Sequence, residues 1–317
     1  MRTITRAHAL GLAGTVAAAT LFPRPARAQS AAPVVRMGTI LADSFAQPFY
    51  ALDGGFLERA GINGQVSVFP GSGAISTAVA AGAIDLGLCD AIVIANGLVH
   101  NVPFATLAGS GLFRGTEPTG VLCVDKASTL KEPKELNGKS ISVPSLGSLT
   151  TLAVQQWLLD NQADPASVKF IELPFVQVAA ALGRGTVSAG YIGEPVLLSS
   201  LGTTTRAFGN PYAALGPQVL VSNWVTTRDW LAKNRDLAKR FVGAMYETAQ
   251  WANAHRDLTA PILSKYSKID LDAIKAMRRS SYSTGFDPKM LQPSLDAAYK
   301  FKVMSRPVTV DELMTKL

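Results

Sequence analysis

Histidine and cysteine are scarce in this 317-residue sequence, and their scarcity excludes several kinds of site. There are three histidines and two cysteines, Cys89 and Cys123, which lie far apart in separate apolar runs. A histidine-rich metal centre is excluded, and a catalytic triad with a histidine base is disfavoured. The cysteines are either buried free thiols or, in an oxidising compartment, a disulfide. We therefore expect no metal ion, no cofactor, no catalytic residue and no enzymatic activity.

The sequence also lacks an apolar run long enough to span a membrane. Residues 10–22 are apolar but fall short of the roughly 20 residues that a spanning helix needs. They follow Arg2 and Arg6 and precede a small-x-small cleavage site at residues 26–28, so residues 1–28 are predicted to be a secretory signal peptide rather than an anchor. Its removal lowers the net charge from +7 to +3. We expect export to the periplasm and no nucleic-acid partner.

Short strand patterns alternate with helical patterns in two similar series. The first series predicts strands at residues 34–40, 66–69 and 84–88 and helices at residues 45–59 and 74–81. The second series predicts strands at residues 140–143, 168–173 and 187–192 and helices at residues 149–161 and 176–182. Strands that alternate with helices form parallel sheets with crossover helices. Residues 82–87 and 185–190 share glycine and β-branched positions, which indicates two similar α/β lobes.

The remainder of the chain completes a predicted architecture of two hinged lobes. Further helices are predicted at residues 228–254, 271–277, 287–303 and 309–317. If this tail packs on the first lobe, lobe I comprises residues 33–120 and 222–317, and lobe II comprises residues 121–221. Predicted strands at residues 120–124 and 218–225 join the lobes as a hinge, and ligands commonly bind between hinged lobes. The predicted fold class is α/β, with mixed or parallel sheets and flanking helices.

Candidate binding residues lie where the predicted strands end, because ligands of open parallel sheets bind at the carboxyl ends of the strands. Two of the loops there are rich in glycine and serine and open a helix, whose first N–H groups favour an anion. The predicted ligand-binding residues are Asp43, Ser44, Phe45, Ser72, Gly73, Ala74, Asp90, Ser145, Ser148, Leu149, Thr150, Glu194 and Trp224.

Each kind of candidate also has a structural alternative. Ser72 and Ser148 are either ligand contacts or plain N-caps, and Asp43 has the same alternative of capping the next helix. Glu194 either accepts a hydrogen bond from the ligand or is an acid favoured at a helix start. Trp224 is either an apolar wall of the site or a core residue.

Several motifs, taken in order, resemble those of one protein family. They are Pro-Gly-Ser-Gly-Ala at residues 70–74, Ala-Ala-Gly-Ala-Ile-Asp-Leu-Gly at 80–87, Leu-Asn-Gly-Lys-Ser-Ile-Ser-Val-Pro at 136–144, Ala-Ala-Leu-Gly-Arg-Gly-Thr-Val-Ser-Ala-Gly at 180–190 and Glu-Pro at 194–195. The chain resembles the taurine, sulfonate, nitrate and pyrimidine-precursor branch of ABC transporter substrate-binding proteins, which have a type II periplasmic binding fold. It departs from the taurine binders at Ser222, which aligns with their acid for the ligand's amine.

The resemblance implies a function as well as a fold. It implies a periplasmic, monomeric solute-binding protein that captures a small polar organic molecule between its lobes and delivers it to an ABC permease in the inner membrane. One alternative is a sensory periplasmic module that signals to a receptor. A second is a pyrimidine-precursor enzyme on the same fold, although that enzyme needs a cysteine cluster and a histidine that we do not find in this sequence.

Overall fold

The structure is a computed structural model that describes residues 32–315. The predicted signal peptide at residues 1–28 lies outside the described residues, as does the end of the helix predicted at 309–317. No helix among the described residues has both the length and the apolar character that crossing a membrane requires.

Strands and helices alternate along most of the described chain. The strands are β1 (Val34–Thr39), β2 (Asn63–Val68), β3 (Leu86–Cys89), β4 (Phe104–Gly109), β5 (Gly111–Arg114), β6 (Gly120–Asp125), β7 (Ser140–Val143), β8 (Lys169–Glu172), β9 (Ala189–Gly193), β10 (Thr205–Gly209), β11 (Gln218–Leu220), β12 (Asn223–Thr227) and β13 (Ser281–Tyr282). The helices are α1 (Gln47–Asp53), α2 (Phe56–Arg59), α3 (Ser72–Ala80), α4 (Ala91–Val99), α5 (Leu149–Asp160), α6 (Phe175–Gly183), α7 (Val196–Ser200), α8 (Arg228–Lys233), α9 (Arg235–Ala254), α10 (Arg256–Ser267), α11 (Leu271–Ala276), α12 (Gln292–Lys300) and α13 (Val310–Leu313).

Two five-stranded mixed sheets form the frame, which confirms the predicted α/β class. The first sheet has the order β2-β1-β3-β12-β4, and the second has the order β8-β7-β9-β6-β10. In each sheet the first three strands are parallel, whereas the fourth strand runs antiparallel to the third. The two series of strands and helices therefore fold in the same way, as the sequence pattern indicated. The lobe boundaries near residues 120 and 221 stay a prediction.

Packing requires the glycine that ends each of the two similar segments, residues 82–87 and 185–190. A methyl group added at Gly87 in β3 would lie 2.5 Å from Ile75 Cγ2 on α3. A methyl group added at Gly190 in β9 would lie 2.4 Å from Val178 Cγ1 on α6. Real carbon–carbon contacts are closer to 3.5–4.0 Å, so only glycine allows each crossover helix to approach its strand this closely.

The returning crossover differs from the single strand predicted at residues 218–225. It forms β11, which pairs with β5 in a small three-stranded sheet, and then β12, which enters the first sheet. Ser222 lies at the change of sheet, where its hydroxyl donates to the Ser44 carbonyl at 2.8 Å and accepts from the Gly111 N–H at 2.8 Å. These bonds hold the backbone where it leaves one sheet for the other, so one continuous strand cannot form.

Two predicted helices are divided in the structure. Gly54 and Gly55 separate α1 from α2, and Gly55 has a φ of 72°, a left-handed conformation that ends a helix. Asn234 likewise separates α8 from α9. The sequence pattern missed α4, which is apolar on all sides, and α10, which contains Pro261.

One hydrophobic core contains both α4, which follows a strand of the first sheet, and α5, which follows a strand of the second sheet. Leu149 and Leu152 on α5 belong to the same buried cluster as Ile92 on α4 and Leu295 on α12. Cys89 and Cys123 are both buried and free, and they lie in different sheets. This core holds the start of α5 against the end of the first sheet, where the candidate site lies.

Candidate functional site

A cavity of about 470 Å³ lies where the carboxyl ends of the parallel strands of both sheets meet. This volume is in the usual range for sites that bind small molecules. Most of the predicted binding residues line it. Those that do are Asp43, Ser44, Phe45, Ser72, Gly73, Ala74, Asp90, Ser145, Ser148, Thr150 and Glu194.

Two predicted site residues, Trp224 and Leu149, do not line the cavity, and for them the prediction was wrong. Trp224 is fully buried in the core of the first sheet. Its indole N–H donates to Gln47 Oε1 at 2.7 Å, and its ring packs edge-on against Phe241 with centroids 4.9 Å apart. Leu149 is also buried, within the core that α5 shares with α4.

The start of α3 opens into the cavity with its first backbone N–H groups. The N-cap is Gly71 rather than Ser72, which is the first helical residue. Ser72, Gly73 and Ala74 line the cavity, and the first-turn N–H groups of a helix have no partner within the helix. The Ser72 hydroxyl accepts a hydrogen bond from the Asp90 N–H at 3.0 Å. The α3 start can therefore bind a ligand acceptor atom.

The start of α5 is already occupied by a carboxylate of the protein. Ser148 is its N-cap and donates its own hydroxyl hydrogen to the Ser145 carbonyl at 2.7 Å. The Leu149 N–H donates to Asp90 Oδ2 at 2.9 Å. The sequence predicted that the starts of α3 and α5 both face the ligand in the same way. At the start of α5, however, the Asp90 carboxylate occupies the place where a ligand anion would bind.

Asp90 joins elements from the two halves of the protein. Its Oδ1 accepts from the Ile92 N–H at 2.7 Å and caps α4, while its Oδ2 reaches α5 through the Leu149 N–H. Burial raises the pKa of Asp90 to about 6, and the backbone hydrogen bonds, including those from Leu149 and Ile92, oppose that rise.

We expect Asp90 to make stability depend on pH between pH 7 and pH 5. Its folded-state pKa of about 6 lies above its ordinary value near 4, so the folded protein holds the proton more tightly. This contribution to stability is complete below about pH 4 and is lost as the pH rises through about 6. Lowering the pH from 7 to 5 should therefore add about 1 kcal/mol through this group, or about 2–4 °C in Tm.

The measurement compares the Tm of the wild type and of Asp90→Asn at both pH values. The difference between the two proteins isolates Asp90 from the other carboxyl groups. A difference that stays constant from pH 7 to pH 5 would contradict the expectation.

Asp43 forms a buried ion pair with an arginine that the sequence analysis did not identify. Arg279 Nε lies 3.1 Å from Asp43 Oδ1, and the arginine side chain is 7% exposed. The Tyr50 hydroxyl donates to the same carboxylate at 3.3 Å, and the Ser280 N–H donates to its other oxygen. Asp43 lines the cavity, but its charge is already balanced by the protein.

Glu194 follows β9 directly and is 8% exposed. Its Oε2 accepts from the Leu198 N–H in α7 at 3.0 Å, so the side chain both lines the cavity and meets the first turn of a helix. Burial is the main cause that raises the pKa of this carboxyl, while the Leu198 N–H and the nearby Arg278 favour the charged form. The Asp43 charge raises the pKa of Glu194 further.

Four aromatic rings in mutual contact form an aromatic wall of the cavity: Phe113, Tyr212, Tyr191 and Phe175. Consecutive ring centroids are 5.3, 5.7 and 6.0 Å apart. The Tyr212 hydroxyl lies 3.0 Å from Thr150 Oγ1. Burial raises the pKa of both tyrosines, which keeps their hydroxyls neutral. Phe113 and Tyr212 come from the crossover segments, where no sequence motif marks them.

The histidines and cysteines of the described residues do not line the cavity. His100 and His255 are exposed and do not line it. Burial raises the pKa of Cys89 well above its usual range and that of Cys123 to about 11, so neither is a thiolate at neutral pH. Over residues 32–315, no group of three or more histidine, cysteine or acidic side chains is placed to hold a metal ion.

Comparison with known proteins gives a family match and several similar folds. A family model described as NMT1/THI5 like matches residues 27–258. The protein YtlA of Bacillus subtilis (strain 168) is 26% identical over 148 residues, which are 44% of this chain and 43% of YtlA. The chain therefore aligns with less than half the length of that relative.

Two solved structures have a similar fold. The periplasmic aliphatic sulphonate binding protein SsuA from Escherichia coli is 16% identical, with a TM-score of 0.73 over 89% of this chain and 92% of SsuA. The periplasmic nitrate-binding protein NrtA from Synechocystis PCC 6803 is also 16% identical, with a TM-score of 0.69 over 88% of this chain and 83% of NrtA. The family model thus agrees with the family that the sequence resembles, and the two structures confirm the predicted fold.

Proposed function

Because this chain belongs to the NMT1/THI5-like family, we propose that it is the solute-binding component of an ABC importer. It captures a small polar organic molecule between its two halves and presents it to a permease in the inner membrane. The fold supports this proposal, since SsuA and NrtA are periplasmic binding proteins with the same architecture. We also infer that the protein works in the periplasm as a monomer.

The cavity is the observation that carries the proposal. Its walls come from both sheets: Ser72 and Asp90 follow strands of the first, while Ser148 and Glu194 follow strands of the second. A molecule bound there touches both halves at once. Contacts from both sides favour the closed arrangement over an open one, and a permease can recognise that difference.

We infer that the bound molecule is released unchanged. The lining residues, all of which the structure describes, include no histidine and no cysteine, and the hydroxyl of Ser148 is used to hold its own loop. A serine nucleophile needs a base within hydrogen-bond reach, and none of these serines has a histidine partner. The site thus favours binding over chemistry.

Native mass spectrometry of freshly purified protein tests the proposal. We expect a small molecule to be retained, and we expect that molecule to raise the Tm by several degrees when it is added back in excess. Deleting the gene should abolish uptake of the same molecule by the cell.

Two glycine substitutions provide a matched control. A side chain at Gly73 starts in open space, because a Cβ there has no neighbour within 4 Å, and it grows toward the cavity. Gly73→Phe should therefore fold and lose the bound molecule. Gly243→Phe, at an exposed and equally open position on α9, should keep it. Absence of a retained molecule, together with no Tm shift from sulfonates, amino-sulfonates, pyrimidines or aromatic carboxylates, would count against the proposal.

A further inference from the structure

The charge of the cavity lining is strongly one-sided. Four carboxylates line the cavity: Asp43, Asp90, Glu172 and Glu194. Among the lining residues, all within the described part of the chain, there is no lysine, arginine or histidine. An anionic ligand would therefore meet acidic side chains with no basic side chain of the lining to hold it.

The four carboxylates differ in how well the protein balances their charges. Asp43 is paired with Arg279, and Asp90 accepts N–H groups from the starts of α4 and α5. Glu172 is exposed, and its Oε2 accepts from the Leu146 N–H at 3.1 Å, so water screens it.

Glu194 differs from Asp43 and Asp90, because no basic side chain of the described residues lies within ion-pair distance of it, and it accepts two backbone N–H groups where Asp90 accepts three. One is the Leu198 N–H, which donates to its Oε2 at 3.0 Å, and the other is the Arg278 N–H. The Arg278 side chain is exposed and lies outside the lining, so solvent weakens the effect of its charge on Glu194. A positive group on the ligand would find its natural partner here.

The N-terminus of α3 does not offset the negative charge of the cavity lining. A helix N-terminus acts as about half an elementary positive charge, whereas each ionised carboxylate carries a whole negative charge. The N–H groups of Ser72, Gly73 and Ala74 can hold a carbonyl, a hydroxyl or one acidic end of a ligand. They cannot make the cavity attractive to a ligand whose only charge is negative.

The aromatic wall adds a second, independent preference for a cation. Ring faces attract a cation at distances up to about 6 Å from the ring centroid, and the attraction grows when water is excluded. Phe113, Tyr212, Tyr191 and Phe175 line the same cavity as Glu194, and consecutive rings are in contact. Anions interact unfavourably with ring faces, because the faces carry the negative part of the ring quadrupole.

We propose that the ligand carries a protonated amine beside an apolar body, with the ammonium group on Glu194 and the apolar body on the aromatic wall. Simple anions such as nitrate and unsubstituted sulfonates are excluded as ligands, whereas zwitterions whose acidic end meets the α3 start are allowed. This inference rests on the proposed function, since it defines the class of molecule that the same cavity delivers.

Titration calorimetry at pH 7 with two matched pairs of probes tests the inference. The pairs are benzylammonium with benzoate and butylammonium with butyrate, which have similar shapes and opposite charges. We expect each amine to bind at least tenfold more tightly than its anionic partner. Glu194→Gln keeps an acceptor for the Leu198 N–H and removes the charge, so it should weaken amine binding at least tenfold. Glu247→Gln, at an exposed position on α9 that does not line the cavity, should change amine binding less than threefold.

The controls separate this inference from the proposed function. Circular dichroism and Tm confirm that both variants fold. Equal or tighter binding of the anions overturns the inference, as does the absence of amine binding or an unchanged amine affinity in Glu194→Gln. An anion without an amine found in the natively purified protein overturns the inference and leaves the solute-binding function standing. Absence of any retained molecule and of gene-dependent uptake counts against the function itself.

Discussion

Trp224→Ala is expected to lower the free energy of unfolding by about 3–5 kcal/mol, the usual cost of truncating a large buried aromatic residue. The indole is fully buried, packs edge-on against Phe241 and donates to Gln47. Its loss leaves a large cavity and an unpaired Gln47 oxygen. The folded fraction of the variant should bind the ligand within a few-fold of the wild type, because Trp224 does not line the site.

Urea unfolding and ligand titration of the same samples measure both effects. Trp224→Phe is the matched control, since it keeps an aromatic ring against Phe241 and loses only the hydrogen bond and part of the volume. It should cost about 1–3 kcal/mol, mostly through the unpaired amide oxygen of Gln47. A Trp224→Ala protein of normal stability that has lost its ligand would mean that Trp224 belongs to the binding site after all.

Asp43→Ala should destabilise the protein by about 3–5 kcal/mol, because it leaves the buried charge of Arg279 without its partner. The guanidinium is 7% exposed and lies 3.1 Å from the carboxylate. The Ser280 N–H and the Tyr50 hydroxyl also lose an acceptor. Removing one partner of a buried ion pair costs more than replacing both partners with apolar groups.

A double-mutant cycle with Arg279→Met measures this coupling. Asp43→Ala/Arg279→Met should recover a substantial part of the stability lost in Asp43→Ala, since no buried charge remains. Asp43→Asn keeps a hydrogen-bond acceptor and should lie between Asp43→Ala and the wild type. If the double variant is as unstable as the sum of the single variants, the two side chains are not coupled, and the ion pair does not explain the burial of Arg279.

The sequence pattern predicts those parts of the fold that depend on contacts between residues close together in the chain. Alternating strands and helices predicted both series of parallel strands, and the strand at 140–143 was located to the residue. The position of β12 between β3 and β4 joins residues far apart in the chain, so no local period could reveal it. The predicted helix at 45–59 failed at Gly54 and Gly55, whose backbone freedom outweighed the apolar periodicity around them.

The site was predictable to the extent that it depends on strand ends. The rule that ligands bind where parallel strands end brought most of the chosen residues to one cavity. The choice of Trp224 as an apolar wall of the site was wrong, because its ring is buried in the core. The rule also did not reveal that Asp90 reaches the start of α5, or that Arg279 balances Asp43, since both contacts join distant parts of the chain.

Gly87 in β3 influences the dimensions of the pocket, because it determines how closely α3 can approach the sheet. The depth at which α3 rests on the sheet is set by Gly87 against Ile75, which directly follows the residues of α3 that line the cavity. A larger residue at this position would push the helix outward and carry its opening away from the opposite wall. Pocket width in such proteins can therefore change during evolution through a residue that does not line the pocket.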